Sequence, residues 1–286
     1  MNWIDYSLIM FFSSVVLYLC IRKSSIEKVP LPLTNLAMFA IPLVAFALIG
    51  ATTNTKFSVS AWQVVVLVVA GIVFSFGGNT VSLKAIDIAP NPGYSLVLSK
   101  SYVLFTTVVA VLLLNAELTF KKAVAILIVV GFSFLIIAKP EKVKNVQNHK
   151  WVTLSFGAFF AWGMLSLTSK YLFSHGVSTI AFILYLSIVV TVCIVVANKI
   201  SYKSFKSLKP AHWLLLLSCG LFSVLFYLGQ FEATRLAPNL GYVNAINAGS
   251  ISLVTILAVL FFKDELTLQK AAGIAGVTAG LLLLLI

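Results

Sequence analysis

Ten stretches of about twenty residues, almost free of charge, follow one another along this chain: 3–21, 31–51, 61–83, 92–114, 119–138, 151–173, 178–198, 211–233, 239–262 and 267–286. A helix rises 1.5 Å per residue, so about twenty apolar residues cross a hydrocarbon core about 30 Å thick. The chain has 286 residues, 60% of them hydrophobic and 10% charged, which leaves too few polar groups to cover a water-soluble globule. In lipid every backbone polar group must be satisfied inside its own segment, and a helix does so. The fold class expected is all-α, a polytopic membrane protein with ten transmembrane helices. No basic region precedes the first run, which begins after Asp5 and is followed by Arg22 and Lys23; this reads as an uncleaved helix rather than a removed signal peptide.

The connections are short except for KPEKVKNVQNHK, residues 139–150, a polar linker at the midpoint of the chain. It divides the sequence into a first five-helix repeat, 1–138, and a second, 151–286. That the two are copies follows from a repeated hexapeptide: APNPGY at 89–94 and APNLGY at 237–242, 148 positions apart. At that offset residues 89–123 and 237–271 share 14 identities in 35 positions, and Trp3 pairs with Trp151. Pro90/Pro238, Asn91/Asn239, Gly93/Gly241, Tyr94/Tyr242 and Glu117/Glu265 are not hydrophobic filler. An odd number of crossings forces the second copy to enter the membrane upside down, as an inverted repeat.

The hexapeptide ends one helix and starts the next. Proline cannot continue a helix, Asn91 and Asn239 are suited to capping the helix that follows, and Gly93 and Gly241 allow close approach. Two readings stand: a tight connector, or a matched pair of hinges or gates made by Pro90, Asn91, Gly93, Tyr94, Pro238, Asn239, Gly241 and Tyr242.

The formal net charge is +12, yet the lysines sit in short gaps between apolar runs and make no continuous basic face, so nucleic acid is not an expected partner. Their distribution speaks to orientation. Connections after helices 1, 3, 5, 7 and 9 hold fourteen Lys and Arg against five in the opposite set. Cytoplasmic loops carry the excess, which places the chain in a cell membrane with both termini outside the cytoplasm and the midpoint linker on the cytoplasmic side.

Cys20, Cys193 and Cys219 each lie in an apolar run, and His149, His175 and His212 lie apart from one another and from any acidic cluster. No metal-ligand spacing arises, and no disulfide framework. The sequence contains no nucleophile with a base, no paired carboxylates and no phosphate-binding glycine loop, so neither an enzyme nor a cofactor is expected.

Polar residues inside the spans are the remaining signal, because a charge near mid-membrane costs about 2.5–3.5 kcal/mol on insertion scales. Lys100 lies about 12 Å along its helix from Pro92 and either lines a cavity or snorkels to the interface. No carboxylate stands three or four positions away, where Leu96, Val97, Val103 and Leu104 are found, and its copy in the second repeat is Ala248. Lys170 and Glu232 share the outer ends of their helices and are expected to pair. Arg22, Lys84 and Lys100 toward the cytoplasmic side, opposed nearby by Asp87, favour a solute with an anionic group; Arg22 and Lys84 also fit simple interfacial anchoring. Asn79, Trp162, Tyr227, Gln230, Asn244 and Asn247 are further candidates for lining the solute site. Asn244 and Asn247, spaced i and i+3, fall on one helix face. Gly273, Gly276 and Gly280 read as close helix packing without a transport role.

LLLNAELTFKKAV (112–124) and LFFKDELTLQKAAG (260–273), each following a helix introduced by an APN segment, together with ATRLAPN (233–239) and FFAWGMLSLTSK (159–170), resemble the repeated signature of the EamA-like branch of the drug/metabolite transporter superfamily. The first repeat opens instead with IMFFSSVVLYLC (9–20), lacking the Trp-Gly pair. The resemblance covers essentially the whole chain. It implies a solute carrier with a central cavity between the halves, working by alternating access without ATP hydrolysis. The expected partners are the bilayer, a small-molecule solute and a coupling ion or counter-substrate. Three readings follow: an exporter or exchanger of a small polar metabolite, an anion or amino acid; a carrier of amphiphilic drug-like or lipid-linked molecules; and a non-transporting receptor or assembly subunit.

Overall fold

The computed structural model describes residues 1–53, 55–88, 95, 98–137, 150–206, 208–262 and 267–285. Pro90, Asn91, Gly93 and Tyr94 of the first hexapeptide, Glu265, and linker residues 139–149 lie outside the described residues.

Helices follow the apolar runs. They are α1 (Trp3–Ile26), α2 (Leu31–Thr52), α3 (Ala61–Val69), α4 (Gly78–Ile88), α5 (Tyr102–Leu114), α6 (Phe120–Ile137), α7 (Lys150–Ser174), α8 (Thr179–Ala197), α9 (Pro210–Leu236), α10 (Leu240–Phe262) and α11 (Leu268–Leu285). A π-helical stretch, Ala70–Gly77, joins α3 to α4, and a 3₁₀ turn, Tyr202–Phe205, lies between α8 and α9. Among the described residues there is no strand. Among the described residues, eight helices are long and apolar enough to cross a membrane: α1, α2, Ala61–Ala85, α7, α8, α9, Leu240–Phe261 and α11. The chain is therefore an all-helical, multi-pass membrane protein.

Local chemistry sets the helix ends. Asn2 caps α1 by accepting from the amides of Ile4 (2.8 Å) and Asp5 (3.1 Å), and Asp5 answers by accepting from the Asn2 amide at 2.7 Å. Ser178 accepts from the Ala181 amide at the start of α8. Asn115 ends α5 in the left-handed region at φ 50°, a role asparagine tolerates better than other side chains.

The helices group into two compact units, each drawing on both halves of the sequence. One unit is Met1–Ile72 with Thr168–Arg235, the other Val73–Leu167 with Leu236–Ile286.

In the first unit α2 packs along α8. Glycines bring α9 close to its neighbours. A Cβ on Gly229 would stand 2.6 Å from the Met10 amide nitrogen and 2.7 Å from the Tyr6 carbonyl oxygen of α1, and one on Gly220 would stand 2.6 Å from the Ile41 Cβ of α2. Without a hydrophobic drive between helices in lipid, such close approach is what holds them together. At one end of this unit Val29, Leu33, Ala37 and Leu216 form an apolar cluster covered by Ile200, Phe205 and Leu208, which fastens the α1–α2 turn to the α8–α9 connection. At the other end Gln63 donates to the His175 carbonyl (3.0 Å) and Tyr185 to that of Phe57 (2.7 Å).

In the second unit α6 packs extensively along α11. Gly276 faces Phe132, and Gly280 faces Ile128 and Val129, so the numbering falls on one helix as it rises on the other: the pair is antiparallel. Gly276 and Gly280 thus act in packing, as their spacing predicts. The same reversal relates the segment 98–114 to α10, through Lys100 with Asn247, Tyr102 with Asn244 and Thr107 with Gly241. Every residue from Asn239 to Ser252 is buried, so the first half of α10 is the centre of this unit.

Candidate functional site

A helix buried on all sides has no lipid-facing side, and its polar groups must find partners within the protein. On α10 those groups are Asn244 and Asn247, one turn apart on a common face. The Asn244 amide donates to Thr106 Oγ1 and Ser166 Oγ, both at 3.0 Å, and its Oδ1 accepts from the Tyr102 hydroxyl at 3.4 Å. The side chain so ties α5 and α7 to α10. The Tyr102 ring meets the edge of Trp162 with centroids 6.4 Å apart. A Cβ on Gly78 of α4 would stand 2.7 Å from the Ala161 Cβ and 3.3 Å from Trp162 Cδ1, so glycine lets α4 lie against this tryptophan.

Lys100 comes next along this face. Leu98–Lys100 are helical, a turn occurs at Ser101, and the Leu104 amide bonds the Ser101 carbonyl at 3.0 Å, a tightened step into α5. The lysine is 4% exposed. Its ammonium donates to the Asn247 backbone carbonyl (3.3 Å) and to Asn247 Oδ1 (3.4 Å), and Ser250 Oγ donates to the same carbonyl at 2.7 Å. Both of these acceptors are neutral, so these bonds orient the ammonium. Beside it lies a cavity of about 10 Å³ lined by Lys100, Ser101, Val130, Ser133, Ala248 and Ile251. That is room for about one water, not for a metabolite.

At the head of α10 the second hexapeptide is fastened rather than loose. Asn239 Oδ1 accepts from the Gly241 amide at 2.8 Å, while its Nδ2 donates to the Glu117 carbonyl at 3.1 Å. The Tyr242 hydroxyl donates to that same carbonyl at 2.8 Å, and Lys122 lies over the Tyr242 ring, 4.7 Å from its centre. Gly241 sits against the Thr107 side chain, where a Cβ would collide. Pro238 is exposed.

The other candidates are placed as follows. Asn79 is half-buried and Lys84 exposed on α4. Tyr227, Gln230, Glu232 and Lys170 belong to the first unit. Tyr227 is in an aromatic row, 5.5 Å from Phe39 and 6.2 Å from Phe231, and Gln230 is buried one turn along. Lys170 and Glu232, expected to pair, each have other partners as well. Glu232 holds Arg235, one turn on, through Nε (2.9 Å) and Nη2 (2.6 Å). The Lys170 ammonium donates to the backbone carbonyls of Thr234 (2.9 Å) and Arg235 (3.1 Å), capping the C-terminus of α9. A guanidinium one turn along the same helix suits a bidentate bond to the carboxylate, and helix-end carbonyls suit an ammonium.

Sequence reading brought Lys100, Trp162, Asn244 and Asn247 forward and missed Tyr102, Thr106 and Ser166, which complete the network. Their signal is faint, since single hydroxyl groups are common in membrane helices and can bond their own backbone.

No curated protein matches the chain. A protein known from a crystal structure is similar at a TM-score of 0.77 and 17% identity, over 98% of this chain and 96% of that one, a likeness of fold. Residues 149–286, from α7 to α11, match the model of the EamA-like transporter family, consistent with the drug/metabolite transporter superfamily.

Proposed function

We propose that the chain is a secondary transporter of a small polar solute bearing an anionic group, a carboxylate or phosphate, and that Lys100, Asn244, Asn247 and Trp162 bind it. The observation that carries this reading is the Lys100 ammonium, buried and held by neutral oxygens of Asn247. A desolvated cation attracts an anion more strongly than one in water does, while the amides of Asn244 and Asn247 supply orientation. The cavity beside Lys100 is water-sized, so solute entry requires a second conformation, as alternating access does.

In this reading the chain comprises two inverted five-helix repeats, residues 1–138 and 151–286, joined by linker 139–150. Support comes from the repeat mates themselves: α6 and α11 run antiparallel, as do 98–114 and α10, whereas mates in a parallel duplication would share a direction. Asn79, Lys84, Lys170, Tyr227, Gln230 and Glu232 remain part of the proposed solute path, with the two hexapeptides as its gates. Both termini are extracytoplasmic in a cell membrane, supported by the basic end of the first unit at the α1–α2 turn and the α8–α9 connection.

Counterflow in proteoliposomes, with a panel of amino acids, organic acids and nucleotides, tests the proposal. Accelerated exchange of one anionic class supports it. Exchange confined to neutral amphiphiles would favour the amphiphile carrier, and binding without exchange a receptor.

A further inference from the structure

The tertiary structure gathers lysines that the sequence scatters. The apolar cluster around Leu33 and Phe205 brings the α1–α2 turn and the α8–α9 connection to one end of the first unit. That end exposes Arg22, Lys23 and Lys28 from the first connection and Lys199, Lys203, Lys206 and Lys209 from the second. Glu27 is the acidic residue among them, and it is already paired with Lys23 at 2.7 Å, which holds its carboxyl below the usual range.

Two of these lysines hold unusual backbone. Lys28 and Lys199 are left-handed, at φ 59° and 50°, a region that disfavours a Cβ. Each follows the end of a helix whose last turn closes in the same way: the Val29 amide bonds the Ser24 carbonyl at 2.9 Å, and the Ile200 amide that of Val195 at 3.0 Å. Such turns ordinarily carry glycine. The repeat mate of Lys28 is Gly176, at φ 83° in an equivalent turn where the Val177 amide bonds the Leu172 carbonyl. The scaffold therefore accepts glycine at this turn, and the strained lysine is not needed for the chain to reverse. Strain kept without a folding reason points to function.

Aromatic side chains complete the surface. Tyr202 is 79% and Trp213 51% exposed. Phe205 stacks on Trp213 at 5.7 Å and 16°, and the Lys206 ammonium lies over the Tyr202 ring at 5.7 Å. Aromatic rings with one wet edge and ammonium groups at the same level suit the headgroup layer, and each surface lysine contributes about 1 kcal/mol toward an anionic leaflet.

We propose that this end of the first unit is a binding rim for the phosphate headgroups of anionic phospholipids, with Lys28 and Lys199 set to receive them. The purified protein in bilayer discs of equal phosphatidylglycerol and phosphatidylcholine should retain phosphatidylglycerol preferentially on extraction, read by native mass spectrometry. Lys28→Gly/Lys199→Gly relieves the backbone, so thermal unfolding should be unchanged or shifted upward, while phosphatidylglycerol retention falls at least twofold. Adding Lys203→Gln and Lys206→Gln should abolish the preference. Lys56→Gln, at the other end of the unit, should leave it intact. Equal retention by the wild type and the fourfold variant, or an equal loss with Lys56→Gln, would overturn the proposal.

Discussion

Tyr242 and Glu117 stand 125 positions apart, and the hydroxyl of one donates to the backbone carbonyl of the other at 2.8 Å. Asn239 reaches that oxygen at 3.1 Å. The hexapeptide at 237–242 is thereby tied to the Glu-Leu-Thr segment at 117–119. Because a carbonyl is the acceptor, the chemistry at Glu117 belongs to the backbone. Tyr242→Phe should lower stability by about 0.5–1.5 kcal/mol, and Asn239→Ala, which also removes the cap on Gly241, by about 1–2 kcal/mol. Glu117→Gln should be neutral. Thermal unfolding in one detergent would test all three, and a large loss for Glu117→Gln would mean that the carboxylate matters instead.

Glycine packing predicts opposite outcomes at two positions. At Gly229 a Cβ meets the α1 backbone, which cannot rotate aside, and Gly229→Ala should cost about 1–3 kcal/mol. At Gly131 nothing lies within 4 Å, and Gly131→Ala should gain up to about 1 kcal/mol from helix propensity alone. The same unfolding experiment compares them.

Asn244 satisfies partners on two other helices. Asn244→Ala would remove the bonds that Thr106, Ser166 and Tyr102 make to it in a buried site, a loss of about 1–3 kcal/mol. Ser166→Ala should cost less in the Asn244→Ala background than in the wild type, because their shared bond is already gone; a double-mutant cycle with no coupling would refute the network.

Lys100→Met preserves approximate volume and deletes the cation. Insertion should be unaffected, and affinity for an anionic solute should fall by about 1–3 kcal/mol, with a smaller change for neutral solutes. Full activity toward every transported anion would assign Lys100 a packing role.

Topology is open to direct labelling. In a background lacking Cys20, Cys193 and Cys219, a cysteine at Lys203 should resist an impermeant maleimide in intact cells, and one at Lys56 should react. The reverse pattern would invert the proposed orientation.

Helix positions were legible because hydropathy in a bilayer is a property of each segment: the runs 31–51 and 239–262 differ from α2 and α10 by one residue. The common face of Asn244 and Asn247, and the packing role of Gly276 and Gly280, follow from helical periodicity in the same local way. What each face meets is not local. Lys100 found an acceptor 147 positions away, Lys170 bonds the helix-end carbonyls of Thr234 and Arg235, and two lysine-bearing connections came together over Leu33 and Phe205. Lateral choices in lipid depend on which small residues let backbones touch and which buried polar groups can satisfy one another. Those are relations between helices, settled only when the helices pack.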